Sequence, residues 1–76
     1  MNLLLSETAI GKQGRIVQFK DEVIAGKLMT MGVLPGSEIC IIRKAPFKGG
    51  IYLKIDGNNM VLREKEAATI VVSTSE

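Results

Sequence analysis

The run Met31-Gly32-Val33-Leu34-Pro35-Gly36-Ser37 places a helix stop and a tight turn back to back, and no other stretch of the chain limits the backbone as much. Glycine is the residue that enters the left-handed conformation at the end of a helix without a Cβ penalty. With Gly32 at that position, Val33 and Leu28 are the two residues that touch across a Schellman motif, and both are apolar. Pro35-Gly36 then fits the centre of a type II turn, where the second residue has a fixed negative φ and the third a positive one. Leu28, Gly32, Pro35 and Gly36 therefore form a structural motif that reverses the chain directly out of a helix.

The segment before the stop supplies that helix. Over residues 21–31, Asp21 can cap the amino end and Glu22 suits the dipole of the first turn. Ile24, Leu28 and Met31 are spaced by four and three and share one face, which Ala25 and Met29 widen. Met31 and Met60 are assigned to the core, whereas Met29 lies one step off the stripe. Gly26 sits in the helix interior at a cost of about 1 kcal/mol relative to alanine. Close approach of a neighbouring strand would explain it.

The rest of the chain is short β-forming pieces. Residues 15–19 read as a strand. Residues 38–44 carry Ile39, Cys40, Ile41 and Ile42 in succession, which predicts a central strand buried on both faces, with Cys40 as a small core residue. After a loop at 45–50, residues 51–55 alternate, with Ile51, Leu53 and Ile55 inward and Tyr52 and Lys54 outward. Asp56-Gly57-Asn58-Asn59 is the hairpin turn, 60–63 the returning strand, 64–68 a helical turn and 69–72 a closing strand. Residues 3–10 are expected to pack as an irregular arm, and 73–76 to fray. The expectation is an all-β fold: a small SH3-like barrel of about five strands, with one helix after the first strand and a short helical turn before the last. It spans 1–76 as a single domain with its core at about 5–72.

Little in the chain can do chemistry. Its 76 residues contain no histidine and one cysteine, so neither an intrachain disulfide nor a typical zinc site is available, and the core must come from aliphatic packing. General acid–base catalysis most often uses histidine. Asp21, Glu22, Glu64 and Glu66 lie in helix-start contexts that suit capping. The glycines around Pro35 lack the Lys-Ser/Thr of a phosphate loop and follow a helix instead of preceding one. Ten basic against eight acidic residues leave only +2, short of the dense basic stripe of a nucleic-acid binder. No apolar stretch approaches the roughly 20 residues that cross a bilayer. The reading is a cytoplasmic binding protein, with no enzyme activity, cofactor or metal site.

Three blocks in order give that reading a direction. Leu28-Met29-Thr30-Met31-Gly32-Val33-Leu34-Pro35-Gly36-Ser37 resembles the Leu-x-x-(Leu/Met)-Gly-(apolar)-x-Pro-Gly signature of the FeoA family, small proteins of bacterial ferrous iron uptake. Arg43-Lys44-Ala45-Pro46-Phe47 is similar to that family's basic-x-Ala-Pro-(apolar) segment. Val61-Leu62-Arg63, Glu66-Ala67 and Ile70-Val71-Val72 resemble its closing pattern. The resemblance runs over about 5–72, and departs at Lys48-Gly49-Gly50, where many relatives carry an acidic residue and a proline. It implies an SH3-like barrel that assists FeoB, a membrane Fe(II) transporter with a cytoplasmic GTP-binding domain, and that is recruited by this partner to the inner face of the membrane without inserting. The partner-binding surface it implies is Met29, Leu34 and Pro35, with Pro46, Phe47 and Lys48 beside them. The competing readings are a small RNA-binding barrel built on Tyr52 and Phe47, and a weak divalent-metal chaperone using Asp and Glu oxygens. An unpaired edge or an exposed Met29/Leu34/Phe47 patch could also join two copies as a homodimer.

Overall fold

The computed structural model describes residues 1–47 and 49–74. The elements are β1 (Asn2–Leu4), a 3-10 turn (Leu5–Glu7), β2 (Gln13–Phe19), α1 (Glu22–Thr30), β3 (Glu38–Lys44), β4 (Ile51–Ile55), β5 (Asn58–Leu62), α2 (Glu64–Ala67) and β6 (Ile70–Thr74). The strands form one antiparallel sheet in the order β1-β6-β2-β3-β4-β5. Both ends of that order feed one aliphatic core, with Leu5 of the turn after β1 and Val72 of β6 in the same cluster as Leu53 of β4 and Leu62 of β5, so the sheet curls around it.

The helix ends as its residues require. The Asp21 carboxylate accepts from the Ile24 N–H at 3.0 Å. At the other end the Val33 N–H donates to the Leu28 carbonyl at 2.9 Å and the Gly32 N–H to the Met29 carbonyl at 3.0 Å, the two bonds of a Schellman motif. Gly32 has φ +95°, and Leu28 and Val33 are both fully buried. The Ser37 N–H then donates to the Leu34 carbonyl at 3.1 Å, with Gly36 at φ +91°, so the expected turn closes with the positive φ at its third residue. The Gly36 N–H donates in turn to the Ile16 carbonyl at 2.7 Å, which anchors the reversal to β2.

The sheet corrects several expectations. It has six strands, because Leu3 and Leu4 are not in an irregular arm: they pair with Val72 and Val71 as β1. The long helix therefore follows the second strand. Ser73 and Thr74 do not fray: they sit in β6 between β1 and β2, and Thr74 is buried, so the packed region runs beyond residue 72. Ser75 and Glu76 lie outside the described residues. The hairpin turn is only Asp56-Gly57, with φ values of +49° and +86°; Asn58 and Asn59 already pair with Ile55 and Lys54. Positive φ at both central residues makes it a type I′ turn, whose twist matches the strands it joins.

β4 alternates as expected, but β3 is not buried on both faces. Ile39 and Ile41 face the core, Cys40 is half-buried on the outer face, and Ile42 is exposed. The reason is ordinary alternation: Ile39 and Ile41, opposite Ile55 and Leu53, share the inner face, and Cys40 and Ile42 fall on the other; a bulge at Ile42 then brings Arg43 opposite Tyr52, so that it too faces outward. On α1, Ala25 and Leu28 are buried and Ile24 packs against the core, but Met31 is 42% exposed, contrary to its core assignment, because the helix has ended by Thr30 and Met31 is its C-cap. Met60 does pack against the core. No strand approaches Gly26, where an added Cβ would meet nothing within 4 Å.

Candidate protein-recognition surface

Three features of the sequence build the exposed apolar surface. The first is the helix end. Burying Leu28 and Val33 in the Schellman contact turns their neighbours outward, and Met29 and Leu34 are each more than 40% exposed, with Pro35 beside them. Arg15 holds this turn from β2: its Nη1 donates to the Gly36 carbonyl at 2.7 Å and its Nη2 pairs with Glu38 at 2.9 Å.

The second is the loop between β3 and β4. The Ala45 N–H donates to the Gly50 carbonyl at 2.9 Å, and the Gly49 N–H to the Pro46 carbonyl at 3.0 Å. These bonds close the loop at its base and lift its tip from the core, so Pro46 is exposed and Phe47 is 100% exposed at φ +57°. Phe47 therefore does not act as a lid on the barrel. Lys48, the remaining residue of the expected surface, lies outside the described residues.

A cleft of about 480 Å³ runs between α1, the base of this loop and the end of β5, lined by Lys27, Met31, Gly49, Gly50 and residues 61–63 with Glu66. Met29, Leu34 and Pro35 do not line it. Lys27 and the C-cap residue Met31 line it from the end of α1, and Met31 is the one that sequence reasoning placed in the core. One wall of the cleft is fixed by Glu66, whose carboxylate accepts from the Arg63 N–H at 2.9 Å and pairs with Lys27 at 2.9 Å. The Arg63 N–H first, and Lys27 next, hold the Glu66 carboxyl below the usual carboxylate range, against the opposing effect of burial.

The third is the outer face of β3, β4 and β5. Arg43 lies over the Tyr52 ring at 4.3 Å, and Ile42, Tyr52, Met60 and Val61 line a shallow groove of about 440 Å³ with Arg43, Leu53 and Asn59. Sequence reasoning missed this face because Ile42 and Val61 look like strand-core residues. The alternation of residues 51–55, carried one strand over to Val61, was the available signal for half of it.

Among the described residues no group of three or more His, Cys, Asp or Glu side chains is arranged to hold a metal ion, and no helix is long and apolar enough to cross a membrane. What the geometry offers is apolar and cationic surface on a curled antiparallel sheet, in a small domain built mostly of β-strands.

Comparison with known proteins gives that domain its family. The FeoA domain matches residues 3–74. The chain is 33% identical over 69 residues to an Fe(2+) transport protein A/Fe(2+) transporter FeoB fusion protein of Porphyromonas gingivalis, covering 90% of this chain and 8% of the fusion protein. The NMR structure of a FeoA-like protein from Clostridium acetobutylicum superposes with a TM-score of 0.88 at 32% identity, covering 99% of this chain and 88% of that one. The crystal structure of Stenotrophomonas maltophilia FeoA complexed with zinc, described as a prokaryotic SH3 domain protein, superposes with a TM-score of 0.77 at 25% identity, covering 93% of this chain and 89% of that one. The fold is thus the SH3-like barrel that the sequence implied. The chain belongs to the FeoA family, whose relatives are named for ferrous iron transport.

Proposed function

We propose that this chain is a non-enzymatic accessory protein of ferrous iron uptake that binds the cytoplasmic part of a FeoB-type transporter and modulates it by protein–protein contact. The observation that carries this reading is the relative named as a fusion of Fe(2+) transport protein A with Fe(2+) transporter FeoB. The chain spans only 8% of that relative's length, which corresponds to the accessory part alone. The exposed surface supports the same reading. Phe47 costs water-exposed apolar area with no packing return in the isolated chain, and exposed aromatic residues of this kind are frequent anchors in protein interfaces. Leu34, Met29 and Pro35 at the helix end, and Pro46 beside Phe47, are the residues proposed to make the contact, with Lys48 of the same loop.

The test is titration of the chain against the transporter's soluble GTP-binding part and against the full transporter in membranes, with Phe47→Ala and Leu34→Ala in parallel. Binding by the wild type to either form, weakened by both substitutions, is expected. Absence of binding to both forms would overturn the reading, and unchanged binding by two folded variants would overturn the assigned surface.

A further inference from the structure

The sheet has two outer edges, and they are treated differently. β1 is only three residues long, and its Leu4 N–H, on the outward side, is taken by the Glu7 carboxylate at 3.4 Å. Short length and self-capping are usual ways of blunting an edge against further pairing. β5 has neither. It runs Asn58–Leu62 without a charge, a proline or a bulge.

The register fixes which of its backbone groups point away from the sheet. In a hairpin closed by a two-residue turn, the residues flanking the turn, here Ile55 and Asn58, exchange both hydrogen bonds, and such pairs recur at every second position. Asn58, Met60 and Leu62 therefore bond to β4, and the N–H and C=O groups of Asn59 and Val61 point outward. Beyond them the edge stops, because the Arg63 N–H is held by Glu66 and its carbonyl accepts from Glu66 and Ala67. Two residues with two donors and two acceptors make a short, defined docking strip.

The surroundings specify what would dock. Val61 is 49% exposed and joins the groove over Tyr52 and Ile42 to the cleft at Met31. Lys54 stands opposite Asn59 across the hairpin, and among the described residues Lys54 has no ion-pair partner. The nearby acid Asp56 is turned to the Glu38 N–H at 3.0 Å. We infer that β5 takes an extended segment of a partner polypeptide as a seventh strand, with apolar side chains beside Met60 and Val61 and an acidic one beside Asn59, within reach of Lys54. This β-augmentation draws affinity from main-chain bonds and specificity from alternate side chains. It is separate from the Phe47 loop and does not depend on the identity of the transporter.

An acetylated, amidated six-residue peptide with one glutamate among valines is the probe, compared with the same peptide carrying lysine for glutamate and with a version N-methylated at alternate amides. At a peptide concentration about ten times Kd, exchange of the Asn59 and Val61 amides is expected to slow about tenfold, with chemical-shift changes centred on β5 and a fall in affinity with added salt. The lysine and N-methylated peptides are expected to bind at least several-fold more weakly. Asn59→Pro removes an outward donor without touching the β4 ladder, and Val61→Lys adds the missing gatekeeper; each is expected to abolish binding. If the proline variant does not fold, the lysine variant and the N-methylated peptide carry the test. Shifts centred elsewhere, binding untouched by these changes, or no binding of the glutamate peptide would overturn the inference. So would concentration-dependent dimerisation through β5 in sedimentation runs without peptide, which would make a second copy the occupant.

Discussion

Lys27 Nζ lies 2.9 Å from Glu66 Oε2, and through that contact the long helix α1 is tied to the single turn of α2. The Lys27 side chain is 64% exposed and that of Glu66 only 8%. The pair itself contributes at most about 1 kcal/mol, because solvent screens the lysine end. Most of what Glu66 does comes through the Arg63 N–H on its other oxygen.

Acid should therefore destabilise the fold in part through Glu66. Its folded pKa is lowered, so the ionised form is the one the fold favours. The contribution is complete above the ordinary glutamate value of about 4.3 and is lost as pH falls through the lower folded value. Urea midpoints measured from pH 7 to pH 3 should fall in that acid window, and Glu66→Gln should flatten the fall. An unchanged acid slope in the glutamine variant would remove Glu66 from the account. Glu66→Ala, which leaves the Arg63 N–H without its acceptor, should cost about 1–3 kcal/mol at neutral pH.

Two glycines with equally open surroundings should respond with opposite signs. A Cβ at either Gly26 or Gly32 meets nothing within 4 Å, so only the backbone decides. Gly32→Ala places alanine at φ +95° and should cost about 1–2 kcal/mol. Gly26→Ala puts a good helix former into α1 and should stabilise by roughly 0.5–1 kcal/mol. Thermal melts of the two variants against wild type check both values.

Asp56 combines a positive φ with a tie to β3. Its N–H donates to the Glu38 carbonyl at 2.9 Å and its carboxylate accepts from the Glu38 N–H at 3.0 Å. Asparagine can keep both the turn and the acceptor, glycine keeps only the turn, and alanine keeps neither well. Stability should rank Asp56→Asn, then Asp56→Gly, then Asp56→Ala, with the last about 1–3 kcal/mol below wild type. Chemical denaturation of the three variants gives the order directly, and an alanine variant as stable as asparagine would contradict it.

Phe47→Ala should leave the unfolding midpoint within about 0.5 kcal/mol of wild type, since the ring packs on nothing. A loss of more than about 1 kcal/mol in the isolated chain would show that the ring rests on the barrel after all.

The parts of this fold that were legible in the sequence are the ones set by local rules. The Schellman contact of Leu28 with Val33 and the Pro35-Gly36 turn join residues a few positions apart, and each demands a backbone angle that glycine or proline announces. The alternation of β4 was legible for the same reason. The features that escaped depend on a strand far away in the chain. Leu3 becomes a strand residue only because Val72 lies beside it, and Arg43 comes to stand opposite Tyr52 only through a bulge in the pairing with β4. Of the expected surface, the exposure of Met29, Leu34 and Phe47 agrees with the reading, but Met31 and Val61, which open the cleft and the groove, resembled ordinary core residues. Composition could not reveal the open edge at β5, since an edge is a property of strand order.

The Met1 amino group donates to the Thr74 carbonyl at 3.1 Å, and the Thr74 N–H donates to the Met1 carbonyl at 2.9 Å. The polypeptide thus comes close to forming a loop without a seam. A short linker could join Met1 to Thr74, and new termini could be opened at the exposed Phe47 with the core pairings retained. Any polypeptide continuing before Met1 or joined close after Thr74 would leave from beside β1, at the opposite end of the strand order from Asn59 and Val61.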